Sequence, residues 1–155
     1  MTVVILGILI TALTTWIGKK ISDKYIYQEK FLNALNTFNG ELIRNLAFRH
    51  DSIAKIRNKD FHFSDFNDFV SRVDFDGVIA SGCPKYLDKD QRNAVISYFS
   101  GLGRNSLSAE KNFLEEYKVV FDDAVEKLRA RNVKIKPLGI KIGFAIGIII
   151  FILLL

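Results

Sequence analysis

Residues 138–155 read LGIKIGFAIGIIIFILLL, and this stretch decides the class of the protein. From Ile142 onward it holds eleven Ile, Leu and Phe residues, which together favour bilayer insertion by roughly 3–6 kcal/mol. Lys141 is its single charge and would cost about 3 kcal/mol at the bilayer centre. It stands only three residues into the segment, so its stem reaches the interface and the cost shrinks. Insertion therefore wins. The run is apolar on every helical face, unlike the one-sided stripe of a helix in a soluble core.

A second apolar segment lies near the other end, Val3 to Gly18, VVILGILITALTTWIG. As a helix it spans about 24 Å, slightly less than the roughly 30 Å hydrocarbon core. Snorkelling Lys19 and Lys20 close the gap, and Trp16 stands where an aromatic belt residue belongs. A secretory signal would need positive charge before the apolar run and a small-residue cleavage site after it. Here the charges follow and the sequence is Trp16-Ile17-Gly18-Lys19-Lys20, so an uncleaved anchor is expected.

Charge is divided just as unevenly. The whole chain is +5, yet residues 28–126 carry 13 Lys/Arg against 16 Asp/Glu, a net −3. The basic excess belongs to the flanks: Lys19, Lys20 and Lys24 after the first segment, and Lys127, Arg129, Arg131, Lys134, Lys136 and Lys141 leading into the second. Nucleic-acid binding would need a basic face on the central domain, so it is excluded. The positive-inside rule predicts a cytoplasmic central domain with both termini across the membrane, and enrichment in Ile, Lys, Asn and Phe suggests an AT-rich bacterial source, hence a bacterial cell membrane. Cys83 is the only cysteine, which suits a reducing compartment and rules out an intrachain disulfide.

Three regions are expected: a transmembrane helix over 1–18, a cytosolic helical domain over 19–137, and a transmembrane helix over 138–155. Within the domain, Phe31, Leu35, Phe38, Leu42 and Leu46 recur at helical spacing over 28–47, in a helix continuous with the first span. Leu114, Tyr117, Phe121, Ala124 or Val125, and Leu128 mark a second long helix over 108–131, which Pro137 ends or kinks. The two long helices pack as a stalk. Shorter helices are capped by Asp51 or Ser52, by Ser64 and by Asp88, with breaks at Gly77, Gly82 and Pro84. Val78-Ile79-Ala80 could form a strand but has no visible partner. The class is all-α, a helical bundle between two transmembrane helices.

No catalytic constellation emerges. His50 and His62 are twelve apart and lack ligand-spaced neighbours, so both read as surface residues and no metal is expected. Cys83 has no nearby histidine base, and the Asp74/Asp76 pair is too short for a calcium loop. Gly101-Leu102-Gly103-Arg104-Asn105-Ser106 superficially resembles a phosphate-cradling turn but lacks the third glycine and any Gly-Lys-Ser/Thr. It reads as a helix C-cap at Gly101 or Gly103 followed by an N-cap at Ser106 or Ser108. Neither cofactor nor enzymatic activity is expected.

The layout of span, helical domain, Leu-Gly-Arg turn, long helix, basic stretch and apolar tail resembles the stage III sporulation protein AB family. The most specific match runs from Leu102-Gly103-Arg104-Asn105-Ser106 to Glu110, where Ser106 and Glu110 stand in place of the family's Asp and Gln. The helix around Phe31-Leu32 to Glu41-Leu42-Ile43 is similar to the family's leucine-rich first helix. The resemblance covers the layout of nearly the whole chain with few identities. It implies a domain like the helical cytosolic domains of platform proteins in type II secretion and type IV pilus machines. It also implies a place beside a secretion-type ATPase and other small membrane proteins in the mother cell. Partner contacts would fall on the turn formed by Leu102, Gly103, Arg104, Ser106 and Glu110. The runner-up is a generic membrane adaptor of cell-envelope or division machinery whose stalk helices self-associate. A pore ranks last, because only Thr11, Thr14, Thr15 and Lys141 are polar within the spans.

Overall fold

The computed structural model describes residues 2–49, 53–73 and 82–154. Among them every regular element is helical: α1 (Thr2–Arg44), a π-helical turn (Asn45–Arg49), α2 (Ile53–Arg57), α3 (Ser64–Arg72), α4 (Lys89–Gly101) and α5 (Leu107–Leu154). Each of α1 and α5 carries a stretch long and apolar enough to cross a membrane. Contacts divide the chain into two units, Met1–Tyr27 with Lys127–Leu155, and Gln28–Glu126.

These boundaries lie beyond the apolar segments that the sequence marks at 18 and 138. The reason is local to the first unit, where the two helices go on pairing past the end of the hydrophobic stretches. Asn132 Nδ2 donates to the Tyr25 carbonyl at 3.0 Å, and Arg131 donates to the Tyr25 hydroxyl at 3.1 Å while lying over its ring. Deeper along the pair the contacts are made by small residues. A Cβ added to Gly143 would lie 2.5 Å from the Thr14 carbonyl oxygen, and one on Gly147 would lie 2.6 Å from Thr11 Cα. Gly18 meets Gly139 in the same way. The partners climb one helix as they descend the other, so the helices run antiparallel and their backbones touch. Gly139, Gly143 and Gly147 repeat every fourth residue, the small-residue pattern that allows such an approach. The outward positions are large and apolar, among them Ile8, Leu13, Ile140, Phe144 and Ile149.

Pro137 does not end α5, which continues through it to Leu154. Proline removes one backbone donor, a loss that a long helix paired along its length tolerates.

The second unit is organised around rings. Phe31 and Phe38 on α1 are fully buried and meet Phe66 edge-on at 5.3 and 6.0 Å between centroids. Phe61 and Phe69 close on the same group, and Phe69 reaches Phe99 of α4 at 5.5 Å. Tyr98 and Phe99, 5.1 Å apart, join this cluster to Phe113, Tyr117 and Phe121 on α5. Edge-to-face pairs of this kind each contribute about 0.5–1.5 kcal/mol beyond area burial. The helical stripe read in α1 is buried through Leu42, whereas Leu46 is only half-buried in the π turn that follows Arg44. In α5, Leu114, Phe121, Val125 and Leu128 are buried, and Tyr117 and Ala124 flank the stripe.

Two polar residues tie the apolar cluster together. Asn39, fully buried, donates to the Leu114 carbonyl at 2.8 Å and accepts from the Tyr98 hydroxyl at 3.0 Å. Gln28 donates to the Tyr86 carbonyl at 2.6 Å, anchoring the loop before α4.

The expected caps divide. Asp88 forms a full capping box with Gln91: its carboxylate accepts from the Gln91 amide at 2.8 Å, and the Gln91 side chain accepts from the Asp88 amide at 3.1 Å. Ser64, by contrast, is the first residue of α3 and not its cap. That position is held by Phe63, which supplies no side-chain bond. Asp60 and Asn67 organise this entry instead: Asn67 accepts from the Phe61 amide and donates to Asp60, which also accepts from the His62 amide. His50, Asp51, Ser52, Asp74, Asp76 and the 78–80 stretch lie outside the described residues.

Candidate functional site

The α4–α5 turn is built by its own side chains. α4 closes with the Leu102 amide donating to the Tyr98 carbonyl at 3.1 Å, and Gly103 takes φ 77°, a left-handed conformation that favours glycine. α5 begins at Leu107, so Ser106 holds the N-cap position, and its carbonyl accepts from the Glu110 amide at 2.8 Å. The Glu110 carboxylate accepts from the Gly103 amide at 2.8 Å and from Asn105 Nδ2 at 3.0 Å. One side chain thus stitches the turn across seven residues.

This geometry divides the five residues picked from the sequence. Leu102 and Glu110 are buried, at 3% and 8% exposure, so they build the turn and present nothing outward. Gly103, Arg104 and Ser106 are exposed. Leu107, which the sequence reading passed over, is 66% exposed beside them. Val119 on α5 is 69% exposed in the same unit. A helical pattern shows where the core stripe runs, so an apolar residue off the stripe is the signal that could have found both.

Titratable groups nearby are subordinate to packing. Burial pushes the Tyr98 phenol well above its ordinary range, with the Glu110 carboxylate adding to the effect. The hydroxyl is therefore a fixed donor to Asn39 and not an acid. Burial raises the Cys83 thiol, only partly opposed by the Arg92 charge, which makes it a poorer nucleophile at neutral pH. His62 is exposed and has Asp60 as its neighbour at 3.8 Å. Among the described residues no group of three His, Cys, Asp or Glu side chains could hold a metal ion.

The basic flanks belong to the apolar unit. Lys19, Lys20, Lys24, Arg129, Arg131, Lys134 and Lys141 are all exposed, and Lys136 lies in α5 among them. That unit contains nine Lys/Arg and, as its only acid, Asp23. Between the Gly18–Gly139 and Thr14–Gly143 contacts, Lys141 comes level with Trp16, about one helical turn below Lys20. Thr11, Thr14 and Thr15 donate to the carbonyls of Gly7, Ile10 and Thr11 on their own helix at 2.7–3.1 Å, which satisfies them locally.

No protein-family model matches this chain, and no curated protein or solved structure does.

Proposed function

We propose that the chain is a membrane-anchored helical adaptor: its apolar unit is held in the bilayer, and its Gln28–Glu126 unit is a helical bundle on the cytoplasmic side that docks a secretion-type ATPase of a sporulation channel complex. The observation that carries this reading is the α4–α5 turn, held rigid by Glu110 while Arg104, Ser106 and Leu107 face outward. A turn whose conformation is set in advance loses little entropy when a partner covers it. Arginine is among the residue types that most often anchor such contacts, and the exposed Leu107 beside Arg104 adds apolar area to it. The apolar seam supports the membrane half of the reading. Outward Ile, Leu and Phe side chains on both helices would be costly in water and are neutral in lipid.

The test uses the full chain in its native membrane, with a photo-crosslinking residue at position 104 or 107. A covalent adduct with a secretion-type ATPase is the expected result. Adducts only with a second copy of the chain would replace this reading with the runner-up, a self-associating adaptor of envelope or division machinery. A reporter fused after residue 155 checks the orientation and should read extracytoplasmic.

A further inference from the structure

One face of the paired helices in the apolar unit carries a groove of about 540 Å³. It runs from Gly7 and Phe151 at one end, past Thr11 and Phe144, to Trp16 and Lys19 at the other. The twelve residue steps from Gly7 to Lys19 correspond to about 18 Å of helix, close to the roughly 15 Å of one leaflet's hydrocarbon. The two ends differ in chemistry. The Gly7 end offers only apolar atoms and threonines whose hydroxyls are already bonded within their helix. At the other end Lys19 lines the groove, and Lys20 Nζ lies 4.6 Å above the ring of Trp16, which lines it as well. Among the described residues neither lysine has a carboxylate at ion-pair distance, and both are exposed.

We infer that this groove binds an anionic phospholipid, with an acyl chain along Thr11 and Phe144 and the phosphate at Lys19 and Lys20. A zwitterionic headgroup would bring its own ammonium to the same mouth and gain far less. The inference rests on the membrane-anchored reading above. It adds a defined lipid site to what would otherwise be a diffuse basic collar.

Full-length protein in detergent micelles is incubated in turn with phosphatidylglycerol, phosphatidylcholine, glycerophosphoglycerol and inorganic phosphate, and native mass spectrometry counts what stays bound. Phosphatidylglycerol should be retained over phosphatidylcholine. The preference should fall about thirtyfold in K19Q/K20Q, at about fivefold per lysine, and survive in K19R/K20R. Ala12→Trp, which fills the groove, should reduce retention of both lipids. Equal retention of the two lipids, or a preference unchanged by K19Q/K20Q, would overturn the inference. So would equal retention of glycerophosphoglycerol or phosphate, which would make the mouth a bare anion site. A dimer that neither lipid displaces would give the groove to a second copy. Alkaline carbonate extraction of the source membranes keeps the two failures apart. Protein released to the soluble fraction sinks the membrane reading itself, whereas protein left in the pellet without lipid preference sinks only the lipid site.

Discussion

Replacing Tyr98 by Phe and Asn39 by Leu, singly and together, tests the polar clasp of the ring-lined core. Both residues are fully buried, and the Tyr98 hydroxyl donates to Asn39 Oδ1 at 3.0 Å. Tyr98→Phe strips that oxygen of its donor in a place water does not reach, at a cost of about 1–3 kcal/mol. Asn39→Leu leaves the Tyr98 hydroxyl without its acceptor and also removes the donor to the Leu114 carbonyl, so its cost is at least as large. In the double variant the Tyr98–Asn39 contact is apolar on both sides and only the loss at the Leu114 carbonyl remains, so the two penalties do not add, and a coupling of about 2 kcal/mol is expected. The phenol is pushed well above its usual range by burial, so the result should not vary with pH between neutral and mildly alkaline conditions. Hydrogen–deuterium exchange by mass spectrometry on the full chain in micelles reads the effect locally, in peptides covering 30–42 and 94–102. Each single variant should speed their exchange by roughly ten- to thirtyfold, and the double variant should add little to either. Strictly additive effects, with coupling below about 0.5 kcal/mol, would mean that the bond contributes no specific stability, and the account of the core would fail.

Other outcomes follow from the same geometry. Gly143→Ile places its Cβ 2.5 Å from the Thr14 carbonyl and must push the helices apart, at about 1–3 kcal/mol. The variant should therefore unfold in micelles at a lower denaturant concentration than the natural chain, and an unchanged midpoint would refute the close approach. Glu110→Ala removes both acceptors that hold Gly103 and Asn105, so the 102–106 amides should exchange about tenfold faster while the 30–42 peptide stays protected. Cys83, its thiol raised by burial, should alkylate more slowly than a free cysteine at pH 8, with its rate still climbing beyond the point where an ordinary thiol levels off. A rate matching that of the free thiol would show that the site is not desolvated.

Sequence alone determined whatever depends on quantities that add along the chain. Transfer free energy sums residue by residue, so the two apolar helices could be read without knowing what they touch. Helical period and capping chemistry act within four residues, which is why the Phe31–Leu42 stripe and the Asp88 capping box were legible. Local reading failed where a distant partner decided. Ser64 has the right chemistry for a cap, but Asn67 and Asp60 organise the chain there first. Glu110 reads as a surface acid until the turn folds back onto its carboxylate. The glycines at 139, 143 and 147 were visible as letters, yet their meaning depends on which helix face meets Thr11, Thr14 and Gly18. Only the tertiary structure sets that register, because close packing is a property of two surfaces and neither surface carries it alone.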